Sequence, residues 1–216
     1  MNIENLSYVK HPPYRDASRI VIACEGALTE PNYFKHFEAV SPKLTVTIAG
    51  KDADNPTLSA PKWVLARAEA HADKVGLAEI DEVYLVMDVD HHEENDFREL
   101  YEICKEKNWR LVLSNPCFEV WPYMHFKETL PDTRLKPQKL KHILSTLIHG
   151  GYHPEKILPY TEKALKNAAL LEKDADHFFP ADNTTKVYML VDRLITIMGK
   201  NYFQKLIQTK KDKPFQ

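Results

Sequence analysis

The sequence contains few glycines, three cysteines and no long apolar stretch. Six of its 216 residues are glycine, and none opens a G-x-G-x-x-G or G-x-x-x-x-G-K-[ST] phosphate loop, which argues against a self-contained ATPase or dinucleotide enzyme. The cysteines form no C-x-x-C pair, so neither a disulfide framework nor a structural zinc site is expected. No apolar run approaches the roughly 18 residues of a membrane helix, and the N-terminus lacks the apolar core of a signal peptide. We therefore expect a cytoplasmic protein that does not associate with membranes.

The charge is nearly balanced over the whole chain but is unevenly distributed along it. Lys and Arg number 29 and Asp and Glu number 31, which gives a net charge of -2. Residues 1–125 hold 13 basic and 21 acidic residues, whereas residues 126–216 hold 16 and 10. An acidic first part and a basic second part suit a protein that binds metal with one and a polyanion with the other. Solvated helix faces would produce the same asymmetry, so both explanations stay open.

Short apolar runs rich in β-branched residues alternate with helical patterns in the first part of the chain. The runs predict strands at residues 19–24, 44–49, 82–87 and 110–113. Helical patterns lie at about 29–40, 57–75, 97–104 and 118–124. Strands that alternate with helices form a parallel sheet with right-handed crossovers, buried on both faces. The predicted fold class is therefore α/β, with a parallel sheet flanked by helices.

The chain after residue 131 carries helical patterns and no strand pattern. The helical patterns cover about 136–149, 160–177 and 184–198. They predict a helical appendage that packs on the sheet. We therefore divide the chain into an N-terminal tail (1–18), an α/β domain (19–130) and a helical extension (131–216).

Acidic and polar residues follow three of the four predicted strands. They are Glu25 and Glu30 after the first strand, Asp88 and Asp90 after the third, and Ser114, Asn115 and Glu119 after the fourth. Ligands of open α/β sheets bind beyond the carboxyl ends of the strands. Asp88 and Asp90 lie on the same side of an extended chain, where they repel each other unless a cation lies between them. Such oxygen-rich ligand sets suit Mg²⁺ or Mn²⁺ better than zinc, so we expect a metal site at this edge.

Several of these residues also have purely structural explanations. Glu30 and Glu119 could each favour the positive end of a helix from its first turn. His125 is a candidate for substrate binding, but a histidine one turn after Trp121 is more often packed inside a helix interface. Basic side chains that could hold phosphates are Lys136, Lys139 and Lys141. A solvated helix face would carry the same lysines.

The motifs at the strand ends, together with a segment near the C-terminus, resemble known families. Glu25-Gly26 after one strand and Asp88-x-Asp90 after another resemble the Toprim pattern of primases, topoisomerases and some nucleases. The chain is more closely similar to the RloB family in four segments. These are residues 24–34, 86–90, 114–121 continuing to His125-Phe126, and Asp182-Asn-Thr-Thr-Lys-Val-Tyr188. The resemblance runs from about residue 20 to residue 194.

The resemblance implies a function in phage defence. RloB-like proteins are bacterial, are found beside restriction-modification and abortive-infection genes, and often neighbour an ATPase gene. The Toprim pattern implies metal-dependent hydrolysis of DNA or RNA, in which Glu25 is general acid/base or metal ligand and Asp88 and Asp90 hold Mg²⁺ or Mn²⁺. Glu30 and Glu119 join this set by their position at strand ends. Nucleic acid is the expected partner, and an ATPase subunit or a second copy of the chain is a further candidate.

A non-catalytic function is the alternative. A degenerate Toprim-like site could belong to a partner or sensor protein that works with an ATPase subunit. Glu25, Asp88 and Asp90 are all present, which favours the enzyme.

Overall fold

The core of the fold is a sheet of four parallel strands. The computed structural model describes residues 17–50, 60–129, 131 and 133–211. The strands are β1 (Ser18–Cys24), β2 (Leu44–Ala49), β3 (Glu82–Asp88) and β4 (Arg110–Ser114). Their order in the sheet is β2-β1-β3-β4, and every neighbouring pair is parallel. The α/β class and all four strands are therefore confirmed, each strand within one residue of its predicted bounds.

Both faces of the sheet are buried, which explains why its strands are apolar runs and not alternating patterns. In β1, Ile20, Ile22 and Cys24 point to one hydrophobic cluster. Val21 and Ala23 point to a second cluster on the opposite face. One apolar segment thus contributes to two cores, because successive side chains of a strand point to opposite faces.

Helices connect the strands and cover both faces. In the first part of the chain they are α1 (Thr29–Phe34), α2 (Pro61–Val75), α3 (Glu94–Glu106) and α4 (Val120–Met124). After residue 131 they are α5 (Pro137–Leu147), α6 (Pro154–Ile157), α7 (Thr161–Leu171), α8 (Val187–Met198) and α9 (Lys200–Lys211). Short 3₁₀ turns extend α1 over Lys35–Phe37 and join α6 to α7 over Leu158–Tyr160.

The helices after residue 131 pack on the sheet, and they share a hydrophobic cluster with it. Leu140 of α5, Leu190 of α8 and Phe203 of α9 belong to the same buried cluster as Ile22 of β1 and Val86 of β3. Val21 and Ala23 pack against α2 and α3 in the other cluster, to which these three helices do not contribute. The helical extension therefore covers one face of the sheet together with α1 and α4.

Several helix bounds differ from the sequence prediction. The first helix was expected to reach residue 40, but α1 ends at Phe34 and the following 3₁₀ turn ends at Phe37, shortly before Ala39 takes a positive φ of 53°. Residues 57–59 of the second predicted helix lie outside the described residues. The helix predicted over 160–177 ends at Leu171. Periodicity did not indicate α6 or α9, and α9 starts directly after Gly199, whose φ is 88°.

A buried lysine binds the segment that follows α7. Lys186 Nζ lies 3.0 Å from Glu172 Oε2, and the two side chains are 4% and 3% exposed. The same ammonium donates to the carbonyls of Asp174 and Ala175, at 2.8 and 3.3 Å. The side chain of the residue before α8 thus binds the carbonyls of the segment after α7.

Among the described residues, no helix is long and apolar enough to cross a membrane.

Removing one member of the buried ion pair should destabilise the fold strongly. We expect Lys186→Ala to lower the free energy of unfolding by about 3–5 kcal/mol, because it leaves the Glu172 carboxylate buried without its partner. Urea unfolding followed by circular dichroism measures the change. The double variant Lys186→Met, Glu172→Met should recover most of the loss.

The exposed pair Lys163–Glu128, at 3.1 Å with side chains 43% and 70% exposed, provides the control. Lys163→Ala should cost less than about 1 kcal/mol. Equal losses for Lys186→Ala and Lys163→Ala would contradict the structural role of the buried pair.

Candidate active site

The order of the strands places a crevice between β1 and β3. From β1 the chain moves outward to β2 and then returns to the other side of β1 to form β3. This reversal is the topological switch point, where the carboxyl ends of open α/β sheets bind their ligands. Glu25 directly follows β1 and Asp88 is the last residue of β3. Both residues therefore lie at the same edge, on either side of the crevice.

Hydrogen bonds from backbone amides orient the carboxylates of Glu25 and Asp88. The Asp88 N–H donates to Glu25 Oε2 at 3.0 Å. The Phe118 N–H donates to Asp88 Oδ1 at 2.8 Å. The Glu25 carboxylate thus binds the end of β3, the Asp88 carboxylate binds the loop after β4, and the ends of β1, β3 and β4 become one connected unit.

The Glu30 side chain, which belongs to α1, contacts the start of the turn between β1 and α1. Its carboxylate Oε1 accepts the Gly26 N–H at 3.1 Å, and the residue is only 5% exposed. A Cβ on residue 26 would lie 2.3 Å from Glu30 Oε2, so the carboxylate occupies the space that glycine leaves open. Burial of this depth does not suit an acid that only favours the positive end of a six-residue helix.

Four carboxylates act on one another electrostatically at this edge. Burial raises the pKa of Asp88 well above its usual value, and the charges of Glu30, Glu25 and Glu119 raise it further. Burial likewise raises the pKa of Glu30, with smaller contributions from Glu119 and Glu25. The edge of the sheet therefore concentrates several acidic side chains, and their charges act most strongly on Asp88.

A cleft of about 330 Å³ opens at this edge of the sheet, and Glu25 is not among its lining residues. Glu30, Asp88, Asp90 and Glu119 line it, together with Gly26, Thr29, Cys117, Phe118 and the α5 residues Pro137, Gln138 and Lys141. Lys141 Nζ lies 3.6 Å from Glu119 Oε1, and the lysine side chain is 64% exposed. Helix α5 thus forms one wall of the cleft and brings a cation to its acids.

Asp90 reaches the cleft through an unusual backbone conformation. Its φ is 46°, and its N–H donates to the Pro116 carbonyl at 2.7 Å. Its Oδ2 lies 3.1 Å from His91 Nδ1, at the surface. Asp90 therefore borders the cleft, while the deeper part is formed by Glu30, Asp88 and Glu119.

Ser114 and Asn115 are buried, and neither lines the cleft. Ser114 Oγ lies 2.7 Å from Thr185 Oγ1. The Asn115 side chain donates to the Pro180 carbonyl at 3.0 Å and accepts a hydrogen bond from Arg134 Nε at 2.9 Å. These hydrogen bonds hold the start of the loop from which the Phe118 N–H donates to Asp88.

His125 also lies away from the cleft lining. It is 1% exposed, and its Nδ1–H donates to the Trp121 carbonyl at 2.9 Å. Burial lowers the pKa of His125 to about 4. The imidazole is therefore neutral at physiological pH and packs against Trp121 and Tyr33.

Of the three lysines predicted to bind phosphates, Lys141 lines the cleft, whereas Lys136 and Lys139 are exposed at the start of α5 and do not line it.

Sequence reasoning missed Arg134, which joins two loops of the site. Its guanidinium donates to the side chain of Asn115 and to the Asp90 carbonyl, and it lies 3.6 Å from Asp182 Oδ1. No local pattern marks an arginine in an irregular segment. The motif 182–188 was a usable signal, because Asp182 and Thr185 both contact the loop after β4.

The chemistry of these residues fits a hard divalent cation, whereas their present arrangement does not form a complete set of ligands. The donors are carboxylate oxygens, which Mg²⁺ and Mn²⁺ prefer, and their mutual repulsion would be relieved by a cation. Within the described part of the chain, however, no group of three or more His, Cys, Asp or Glu residues could hold a metal ion as placed. Binding therefore requires the carboxylates to turn toward a common centre.

The chain belongs to the RloB-like family. A family model described as RloB-like protein matches residues 20–194, which is most of the chain. This match confirms the resemblance to the RloB family that the sequence motifs indicate. No curated protein and no solved structure matches the chain significantly. The Toprim-like assignment stays a prediction.

Replacing Gly26 with alanine should displace the Glu30 carboxylate without unfolding the protein. The added Cβ would lie 2.3 and 2.6 Å from the two carboxylate oxygens, which end a flexible side chain and can move away. We expect the melting temperature of Gly26→Ala to change by no more than about 2 °C. A crystal structure of the variant should show Glu30 turned away from the residue 26 N–H. Gly50→Ala is the control, because a Cβ at Gly50 meets nothing within 4 Å. A Glu30 carboxylate that stays in place would refute the contact.

The raised pKa of Asp88 predicts a pH-dependent stability. The folded protein binds the Asp88 proton more tightly than the unfolded chain, in which an Asp titrates near about pH 3.9. Stability must therefore fall as the pH rises from about 4 through the raised native pKa. Asp88→Asn removes this titration and keeps an oxygen to accept the Phe118 N–H. In metal-free buffer we expect Asp88→Asn to melt at a higher temperature than wild type near neutral pH, with a weaker pH dependence. The exposed Asp192→Asn serves as control, and parallel pH profiles for wild type and Asp88→Asn would contradict the account.

Proposed function

We propose that the protein is a metal-dependent nuclease that hydrolyses phosphodiester bonds of DNA or RNA. The observation that carries the proposal is the set of four interacting carboxylates at the switch point of the sheet. Glu25, Glu30, Asp88 and Glu119 come from the ends of three different strands. Beyond the effect of burial, the charges of the other three raise the pKa of Asp88, and those of Glu119 and Glu25 contribute to the raised pKa of Glu30. Clusters of acids with raised pKa values are typical of functional sites.

Mg²⁺ or Mn²⁺ is the proposed partner of these acids. Asp88, Glu25 and Glu30 each use one oxygen to accept a backbone N–H, which holds the three side chains at one edge, and a metal ion would be bound after the carboxylates turn toward it. Asp90 at the rim and Glu119 beside Lys141 complete the proposed set. When bound, the metal would polarise a phosphoryl oxygen and lower the pKa of a water molecule. Glu25 is the proposed general acid/base, as the Toprim resemblance implies.

The basic residues of α5 are the proposed contacts of the substrate backbone. Lys141 Nζ lies 3.6 Å from Glu119 Oε1 at the cleft, and Lys136 and Lys139 are exposed on the same helix. A cation that neutralises Glu119 would leave the Lys141 ammonium able to pair with a phosphate. The charge asymmetry between the two halves of the sequence fits this division between metal and polyanion.

Membership of the RloB-like family supports a role in phage defence as part of the proposal. The second candidate, a partner or sensor for an ATPase subunit, is favoured by one observation. The acids as placed form no ready group for a metal ion among the described residues. A sensor would keep the cleft and bind without cleaving.

A cleavage assay with matched variants tests the proposal. Purified protein is incubated with plasmid, single-stranded DNA and tRNA in Mn²⁺ or Mg²⁺, with and without a neighbouring ATPase subunit. We expect wild type to cleave at least one substrate and Asp88→Asn to lose more than about 100-fold in rate, because removal of one electrostatic contact to a transition state costs this much. Asp192→Asn, which changes an exposed aspartate of α8, should cleave like wild type.

Two results would count against the nuclease. If the Asp88→Asn variant cleaved as fast as wild type, the acids would not carry the reaction. A wild type that cleaves nothing with either metal, even with the ATPase subunit present, would favour the sensor.

A further inference from the structure

Two large apolar side chains remain exposed at the carboxyl edge of the sheet. Trp63 is 38% exposed and Leu28 is 72% exposed. Trp63 lies in the first turn of α2, and Leu28 lies in the turn between Glu25 and α1. Neither belongs to the two hydrophobic clusters of the described residues. The fold itself therefore does not account for them.

Two hydrogen bonds fix the position of Trp63 relative to β1. Arg67 Nη2 donates to the Cys24 carbonyl at the end of β1, at 2.7 Å. Arg19 Nη1, at the start of β1, donates to the Val75 carbonyl at the end of α2, at 2.9 Å. Helix α2 therefore runs antiparallel to β1. Trp63 lies on the same helix face as Arg67, about 6 Å further along the axis toward the carboxyl edge.

Trp63 and Leu28 thus both lie at the carboxyl edge of the sheet, the edge at which Glu25 follows β1. Arg67, one turn after Trp63, binds the carbonyl of the residue that precedes Glu25. Thr29, which follows Leu28, lines the acidic cleft. Both apolar side chains therefore lie at the same edge of the sheet as the acidic cleft, although neither lines it.

Trp63 carries a cation beside its ring. Lys62 Nζ lies 5.3 Å from the centre of the Trp63 ring, and both side chains are exposed. Exposed aromatic faces combined with cations are the means by which proteins bind single-stranded nucleic acid, since bases stack on the rings and phosphates pair with the cations. A duplex keeps its bases stacked on each other, so they cannot stack on a surface side chain.

We propose that Trp63 and Leu28 contact unpaired bases next to the phosphate in the cleft, and that the substrate is single-stranded or locally unpaired nucleic acid. This inference rests on the proposed nuclease function and adds the substrate class. Lys62 pairs with the backbone of the strand while its neighbour stacks with a base.

Binding of an oligothymidylate of about 15 nucleotides tests the proposal. Fluorescence anisotropy of the labelled strand is measured in Ca²⁺, and a gel checks that the strand stays intact. We expect Trp63→Ala to weaken binding by about 5- to 150-fold, the usual effect of removing one stacked aromatic. Trp63→Phe should keep most of the affinity. A duplex of the same length should bind wild type more weakly and change less than about twofold on Trp63→Ala.

Leu28 has a matched control in Leu170 of α7, because both leucines are 72% exposed. Leu28→Ala should weaken binding of the single strand, and Leu170→Ala should leave it unchanged. Melting temperatures of all variants show that each protein is folded.

The outcomes separate this inference from the nuclease proposal. Two results would overturn the inference even if the protein cleaves nucleic acid. One is a Trp63→Ala variant that binds the single strand within about twofold of wild type, and the other is a wild type that binds the duplex more tightly than the single strand. A wild type that binds neither probe would overturn it as well. Trp63-dependent binding without cleavage in any metal would support the inference while the nuclease proposal fails.

Discussion

The amides of Asp88 and Phe118 donate to the carboxylates of Glu25 and Asp88 and so connect the ends of β1, β3 and β4. Each of these bonds joins a residue at one strand end to the backbone at or just after the end of the neighbouring strand in the sheet. The register of the parallel sheet decides whether such bonds can form, since it sets how far each strand extends. The four-strand order and the orientation of the acids are therefore one structural feature, and a slip of the register would separate the carboxylates.

The arrangement of the acids has an energetic cost that the rest of the fold must offset. Burial and the neighbouring charges raise the pKa of Asp88, so its ionised form opposes folding at neutral pH. The support comes from distant parts of the chain. Thr185 bonds Ser114, Arg134 bonds Asn115 and the Asp90 carbonyl, and Lys186 anchors the segment that leads into α8. Functional sites commonly carry such local destabilisation within a stable framework.

Local patterns in the sequence were sufficient for the strands and for the meeting of Glu25 and Asp88 at one edge, because consecutive parallel strands end on the same side. They were not sufficient for contacts between distant segments. The space for Glu30 beside Gly26 depends on the angle at which α1 leaves the turn, and the buried partner of Glu172, directly after α7, is a lysine 14 residues further along the chain. Arg134 lies in an irregular segment with no periodicity, so only its neighbours in space reveal its contacts.

The central claim is that the four carboxylates at the switch point bind one or two divalent cations. Anomalous diffraction from crystals soaked in Mn²⁺ tests it directly, because the signal locates the metal independently of any activity. The account predicts an anomalous peak in the cleft, within coordination distance of Asp88 and at least one of Glu25, Glu30 and Glu119, and no such peak in Asp88→Asn crystals. A cleft without a peak at millimolar Mn²⁺, with the carboxylates unmoved, would contradict it.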